Sequence, residues 1–262
     1  IIYSRDELKQ FEMQQELPES KYGCLRYFIG DVRDLPRLRT AMEGVEIIIH
    51  TAALKQVPTA EYNPFEAVLT NINGAKNVID AAIDQGVKKV IALSTDKAVN
   101  PINLYGATKL VAEKLLVQGN TYSGLNGTQF ACARYGNVIG SRGSVIPIFQ
   151  AQRDTGTVTV TDKRMTRFWI TVEQGVRFII RCIEQMNGGE VFIPKIPTMK
   201  LLDLADALAP GVELEEVGIR PGEKLHEALI GQDESRLVKE FDDHFVLYPA
   251  YHNWDSDDVA RE

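Results

Sequence analysis

The run Val87-Lys88-Lys89-Val90-Ile91-Ala92-Leu93-Ser94-Thr95 leads directly into Asp96-Lys97, and Tyr105-Gly106-Ala107-Thr108-Lys109 follows after one turn-like segment. Its β-branched and apolar residues read as a buried strand, and its polar end marks where the chain leaves the sheet. Two similar runs flank it. Val45-Glu46-Ile47-Ile48-Ile49-His50 leads into the small residues Thr51-Ala52-Ala53, and Thr128-Gln129-Phe130-Ala131-Cys132-Ala133 lies downstream. Between the first two runs, residues 71–85 carry Ala, Val and Ile at helical spacing and stop before Gly86. Between the second and third, residues 105–118 do the same and stop at Gly119-Asn120. Strands separated by amphipathic helices predict an α/β fold, a doubly wound parallel sheet with right-handed crossovers. Its ligand belongs beyond the carboxyl ends of the strands. The opening Ile1-Ile2-Tyr3-Ser4-Arg5 reads as a strand already under way, with no signal-peptide pattern.

After Gly140 the pattern loosens. Gly143, Pro147, Gly156, Gly188-Gly189 and Pro221-Gly222 punctuate shorter elements, with helices predicted over 173–185 and 201–208. This half reads as a smaller C-terminal lobe over the ligand edge of the sheet. The division expected is residues 1–145 with about 166–193 for the sheet domain, and about 146–165 with 194–262 for the lobe. From Glu240 on, the acidic residues Asp242, Asp243, Asp255, Asp257 and Asp258 read as a solvated tail.

Composition excludes several classes. Hydrophobic residues are 44% and charged residues 25% of the 262, the balance of a soluble globular protein. A net charge of −7 argues against a basic nucleic-acid footprint. No apolar run reaches the roughly 18 residues of a membrane helix. Cys24, Cys132 and Cys182 lie too far apart for a metal pair or a disulfide set, which favours a reducing, cytoplasmic compartment. His50, His226, His244 and His252 show no ligand spacing, so no metal is expected.

Tyr105 and Lys109 are four apart, so on a helix the phenol and the ammonium share a face. A neighbouring ammonium favours phenolate and makes the tyrosine a usable base. Taken alone, such a pair is most often two surface neighbours, and an Asp-Lys dipeptide is most often an exposed turn. Here the strand end delivers Thr95, Asp96 and Lys97 to the same cleft as Tyr105. Sites that run both acid and base chemistry pair titratable groups in this way.

The whole run from Ser94 to Lys109 resembles the extended short-chain dehydrogenase/reductase superfamily, and more narrowly the inverting UDP-N-acetylglucosamine 4,6-dehydratases of bacterial surface-sugar (pseudaminic acid) pathways. Further matching segments are Tyr3-Ser4-Arg5-Asp6-Glu7-Leu8-Lys9-Gln10 and His50-Thr51-Ala52-Ala53-Leu54-Lys55-Gln56-Val57-Pro58. Arg134-Tyr135-Gly136-Asn137-Val138 follows, with Gly140-Ser141-Arg142-Gly143-Ser144. Arg164-Met165-Thr166-Arg167-Phe168-Trp169-Ile170-Thr171 and Ile219-Arg220-Pro221-Gly222-Glu223-Lys224-Leu225-His226-Glu227 complete the set. The resemblance implies a Rossmann-like sheet whose first strand and Gly-rich pyrophosphate turn precede Ile1, roughly 30 residues forming one strand-turn-helix unit. It also implies a shortened C-terminal end. Relatives that make capsule or O-antigen sugars commonly carry methionine at the motif tyrosine, so Tyr105 points to the C5-inverting subgroup.

For the cofactor, the resemblance implies NADP. Ser4-Arg5 and Lys9 stand where an NAD enzyme wants a carboxylate for the ribose, and their cations suit a 2′-phosphate. Asp31-Val32 are expected to flank the adenine, and Ala52-Ala53 to let the backbone approach the cofactor. Asn71 either ties the sheet edge there or caps a helix start. For an anionic UDP-sugar the implied cations are Lys55, Arg167 and Arg220. Glu223 would accept from a ribose hydroxyl, and Asn137, Val138 and Thr161 would line the sugar or pyrophosphate. Met165 would offer soft packing. Arg164 and Arg167 are alternatively a salt-bridged brace of the lobe. The implied reaction is loss of water from UDP-N-acetylglucosamine, a hydro-lyase step, in a homo-oligomer. Tyr105 takes the C4 hydroxyl proton, Lys109 lowers its pKa and holds the nicotinamide ribose, Lys97 removes the C5 proton, Asp96 protonates the departing C6 hydroxyl, and Thr95 polarises the C4 oxygen. Two alternatives stay open: a UDP-sugar 4-epimerase, which shares the Tyr-Lys motif but lacks the Asp-Lys pair, and a non-catalytic cofactor-binding relative.

Overall fold

The computed structural model describes residues 1–124, 127–141 and 144–251. Arg142, Gly143, His252, Asp255, Asp257 and Asp258, singled out above, lie outside the described residues. In chain order the strands are β1 (Ile2–Ser4), β2 (Tyr27–Ile29), β3 (Ile47–His50), β4 (Lys89–Thr95), β5 (Gln129–Tyr135), β6 (Asn137–Val138), β7 (Thr157–Val160), β8 (Thr166–Ile170), β9 (Val191–Pro194), β10 (Thr198–Lys200), β11 (Glu213–Glu216), β12 (Val238–Glu240) and β13 (His244–Leu247). The α-helices are α1 (Glu7–Glu16), α2 (Leu35–Met42), α3 (Val57–Tyr62), α4 (Pro64–Val68), α5 (Gly74–Asp84), α6 (Leu104–Ser123), α7 (Val145–Arg153), α8 (Val172–Gln185) and α9 (Leu201–Leu208).

The largest sheet has six strands in the order β12-β13-β9-β5-β4-β3. Strands β3, β4, β5 and β9 run parallel, with Ile48 opposite Val90 and Val90 opposite Phe130. β1 and β2 form a separate parallel pair. Alternation along the central strands sends side chains to opposite faces. Val90, Ala92, Phe130 and Cys132 pack with Leu38 of α2, Val78 and Ile79 of α5 and Leu116 of α6. Ile91, Ala131 and Ala133 point the other way, onto Phe178, Ile179 and Cys182 of α8. The expected doubly wound arrangement is thus observed. Beyond Tyr135, β6, β8 and β10 build a three-stranded sheet and β7 pairs with β11. Phe149, Val158, Trp169 and Leu204 fill a core of their own there.

Three expectations change. Helix α6 does not stop at Gly119-Asn120 but runs to Ser123, where Gly124 at φ 72° ends it. Gly119 serves close packing: a Cβ there would sit 3.0 Å from the Phe130 ring. Asn120 faces inward and cross-links helix to strand, donating to the Phe130 carbonyl and accepting from its amide, both at 2.9 Å. Second, the chain beyond Glu240 is not a solvated tail throughout. β13 pairs antiparallel with β9, so residues 238–247, assigned above to the lobe, extend the main sheet. Val246 and Leu247 are buried in it. Third, residues 71–85 are not one regular helix. A π-helical turn, Leu69–Asn73, precedes α5 and turns Asn71 inward.

Replacing Asn120 by Ala would strand the buried amide of Phe130, while its carbonyl keeps the Gly189 amide at 2.7 Å. The expected loss is about 1–3 kcal/mol of unfolding free energy, read from urea denaturation with the m-value unchanged.

Candidate active site

The carboxyl end of β4 supplies the first group. Thr95 ends the strand, and Asp96–Ala98 make one 3₁₀ turn. Asp96 is wholly buried. Its Oδ1 accepts from Thr95 Oγ1 at 2.9 Å and from Lys97 Nζ at 3.0 Å. Its Oδ2 is buried without a hydrogen-bond partner, and so is Ser94 Oγ just before it. Buried polar atoms left unpaired are rare and call for an explanation, here a polar group received in the cleft.

Helix α6 supplies the second group. Asn103 caps it, accepting from the Gly106 amide at 2.7 Å. The helix start lies so close to the 96–98 turn that a Cβ on Gly106 would stand 2.2 Å from the Lys97 carbonyl oxygen. Only glycine permits that approach, and it sets Tyr105 beside Thr95 and Asp96. Burial pushes the Tyr105 phenol up to about 12; the hydrogen bond with Thr95 works against this, and Asp96 and Tyr135 add to it. The expected lowering by Lys109 is therefore not found. Lys109 Nζ instead donates to the Leu93 carbonyl at 2.6 Å, and burial moves the lysine itself down.

The third contribution was only partly foreseen. A strap, residues 219–234, is fastened across the cleft. Lys224 Nζ donates to the Val99 carbonyl at 2.5 Å, and Asn103 Nδ2 to the Gly222 carbonyl at 2.8 Å. Arg134, fully buried at the end of β5, donates to Glu113 on α6, to Glu234 and to the Leu229 carbonyl. Burial opposes that charge, but the two glutamates outweigh it and hold the guanidinium above its ordinary range. The strap brings Glu227 Oε1 to 3.7 Å from Lys97 Nζ and leaves Glu223 Oε2 buried without a hydrogen-bond partner. Glu227, Lys224, Tyr135 and Arg134 lay inside the matching segments, but only spacing in three dimensions singles them out.

The remaining sequence candidates fall in two groups. Ser4, Asp31, Val32, Ala52 and Ala53 sit at or just beyond the carboxyl ends of β1, β2 and β3. Arg5 and Arg33 both pair with Asp31, at 3.2 and 2.9 Å. Burial pushes the Asp31 carboxyl up, but these bonds prevail and hold it below its usual value. Lys9 pairs with Asp6. Asn71 is no helix cap: it accepts from the Leu54 amide and donates to the Leu54 carbonyl and to Thr108, pinning the loop after β3 to α6. On the other side, Asn137 and Val138 form β6 against Trp169 and Ile170. Met165 is 2% exposed inside the lobe core, where Thr161 donates to its sulfur; it offers no accessible packing surface. Arg167 has no salt bridge among the described residues; its guanidinium bonds the Thr166 and Leu225 carbonyls and braces the strap. Arg164 pairs with Asp162. Lys55 is exposed with no ion pair among the described residues, and Arg220 has a loose 4.0 Å contact with Glu223.

A row of parallel strand ends with small residues after β3, cations near β1 and unpaired Ser94 and Asp96 oxygens at β4 fits a nicotinamide dinucleotide lying along it. A doubly wound sheet with a Tyr-x-x-x-Lys helix packed on an Asp-Lys turn defines a short-chain dehydrogenase/reductase. Residues 1–249 match the family described as polysaccharide biosynthesis protein, and the chain belongs to it. It is 56% identical over 259 residues to a Campylobacter jejuni protein named UDP-N-acetylglucosamine 4,6-dehydratase (inverting), covering 98% of this chain and 77% of that one. A Rickettsia canadensis protein named UDP-glucose 4-epimerase is 40% identical, covering 94% and 73%. The X-ray structure of Pen from Bacillus thuringiensis matches with a TM-score of 0.90 at 44% identity, covering 95% of this chain and 80% of that one. DesIV (dTDP-glucose 4,6-dehydratase) from Streptomyces venezuelae, solved with NAD and TYD bound, matches at 0.72 and 24% identity over 81% and 73%, a likeness of fold. Among the described residues, no helix is long and apolar enough to cross a membrane.

His50, at the end of β3, gives a test of this buried region. Burial, with the Lys109 charge adding to it, pushes its imidazole down to about 3. The folded protein thus keeps His50 neutral while the unfolded chain binds a proton, so stability is lost as pH falls below about 6.5. Thermal melts should show wild type losing about 1 kcal/mol per pH unit more than His50→Gln between pH 6 and 4.5. Parallel curves would refute a buried neutral imidazole.

Proposed function

We propose that this chain removes water from UDP-N-acetylglucosamine across C4 to C6 and inverts C5, giving a 4-keto-6-deoxy sugar nucleotide for bacterial surface-sugar (pseudaminic acid) synthesis. The observation that carries this reading is the Asp96–Lys97 pair set beside Tyr105. An epimerase moves a proton only at the C4 oxygen. A dehydratase also needs a base for C5 and an acid for the C6 oxygen, and the pair supplies both.

When bound, a nicotinamide dinucleotide, NADP by the reading of Ser4, Arg5 and Lys9, supplies the hydride acceptor and donor. The protein's own groups do the proton work. Tyr105 takes the proton of the C4 hydroxyl while Thr95 bonds that oxygen. Burial works against the phenolate, and Lys109 offsets this only once its Nζ leaves the Leu93 carbonyl. The new ketone acidifies the C5 hydrogen. Moving one proton along the 3.0 Å Lys97–Asp96 hydrogen bond leaves a neutral amine and a protonated carboxyl. The amine takes the C5 proton, and the carboxyl gives its proton to the C6 hydroxyl, which leaves as water. The resting ion pair is thereby restored. The hydride taken from C4 would return to C6, C5 would take a proton from solvent on its opposite face, and Tyr105 would release to solvent the proton it took from the C4 hydroxyl. Lys55 and Arg220, exposed at the cleft, attract the diphosphate. Glu223 Oε2, buried and unpartnered, accepts from a sugar hydroxyl. We further assign the cofactor to the sheet side and the sugar nucleotide to the lobe of 146–165 and the segment from 194, and place the protein in the cytoplasm as a homo-oligomer.

Proton NMR of the protein with UDP-N-acetylglucosamine and NADP in heavy water tests this. The expected product has a new C6 methyl, deuterium at C5 and an L-configured ring. Lys97→Ala should reduce methyl formation by about 100-fold or more, the scale of a lost acid-base group. A C4 epimer without a methyl signal would move the chain to the epimerases, and an unchanged sugar would favour the non-catalytic reading.

A further inference from the structure

We propose that Glu227 is a positioning residue for the base of the reaction: it holds Lys97 Nζ where the amine meets C5. This inference rests on the dehydratase reading above. Among the described residues Lys97 has two carboxylate neighbours, Asp96 Oδ1 at 3.0 Å and Glu227 Oε1 at 3.7 Å. The Glu227 side chain is 4% exposed, its Oε2 has no hydrogen-bond partner, and Lys224 Nζ stands 3.6 Å from it. A carboxylate desolvated this far and held only by loose ion pairs is unfavourable on its own account.

The strap does not need it. Lys224, Asn103 and Arg134 fasten the strap through the Val99, Gly222 and Leu229 carbonyls and Glu234, and none of those bonds involves the Glu227 side chain. The anchors flank Glu227 on both sides and fix its place, with one oxygen toward Lys224 and the other toward Lys97. The chemistry shows why Asp96 cannot hold Lys97 alone. When the Asp96 carboxyl turns its proton toward the C6 oxygen, it gives up its bond to Lys97. Glu227 is then the acceptor among the described residues that keeps Nζ facing C5 rather than the open side of the cleft.

The test isolates the C5 step. UDP-N-acetylglucosamine carrying deuterium at C5 is turned over beside the unlabelled substrate, and kcat for methyl-product formation is compared by NMR. Removal of this C5 hydrogen is the step assigned to Lys97. Glu227→Gln should lower kcat about 10- to 100-fold, the cost of a misplaced reacting group, with a deuterium effect on kcat larger than in wild type because the C5 step now limits turnover. Its KM for the UDP-sugar should stay within about threefold of wild type and its Tm within about 2 °C. Glu227→Asp, with the charge kept and the reach shortened, should fall between the two. If the Gln variant does not fold, the Asp variant carries the same comparison, with kcat lowered at least about fivefold at an unchanged Tm. A wild-type kcat and deuterium effect in either folded variant, or a loss seen only in KM or Tm, overturns the assignment. A wild-type protein that forms no methyl product overturns the dehydratase reading, and this inference with it.

Discussion

Arg134 is a guanidinium with no exposure to solvent, and the working half of the molecule is organised around it. All of its donors are used: the nitrogens divide between Glu113 on α6, Glu234 and the Leu229 carbonyl. Removing Arg134 would leave the buried Glu113 carboxylate without its partner, typically a cost of about 3–5 kcal/mol, so the three elements are locked as one. One of them carries Tyr105 and another carries Glu223 and Glu227. The cleft therefore gets its two walls from a single ion cluster placed behind the chemistry. The hydrophobic core under the sheet supports this arrangement but does not specify it.

Burial in the cleft disfavours charge. Tyr105 and His50 are neutral because burial disfavours their charges, and Lys109 is shifted in the same sense. Asp96 stays paired through one oxygen and unpaired through the other. Ionising Tyr105 therefore requires what the cleft receives to offset its burial.

Much of this was legible in the sequence. The alternating apolar runs gave the parallel sheet, because period-two and helical patterns are local. The Asp96-Lys97 and Tyr105-Lys109 motifs were legible because each lies within one turn of chain. What sequence patterns missed depends on partners distant in the chain. Gly119 and Asn120 read as a helix stop, yet Phe130 on the neighbouring strand makes them a packing contact and a cross-link. Residues 240–247 read as a tail because their pairing partner is β9. The pairing of Arg5 with Asp31, 26 residues on, was likewise not legible. Met165 read as a contact surface, while its side chain closes a core. Glu227 was one glutamate among several until the strap placed it against Lys97.

The closeness of α6 to the 96–98 turn has a consequence for divergence. That separation is set by main-chain atoms meeting where Gly106 has no side chain. The positions of residues 96, 97 and 105 are thus independent of what those residues are. Exchange of their side chains can alter which protons are moved while leaving the geometry untouched. One scaffold can in this way hold different proton-moving groups, in keeping with relatives of this chain that are named as dehydratases and as epimerases.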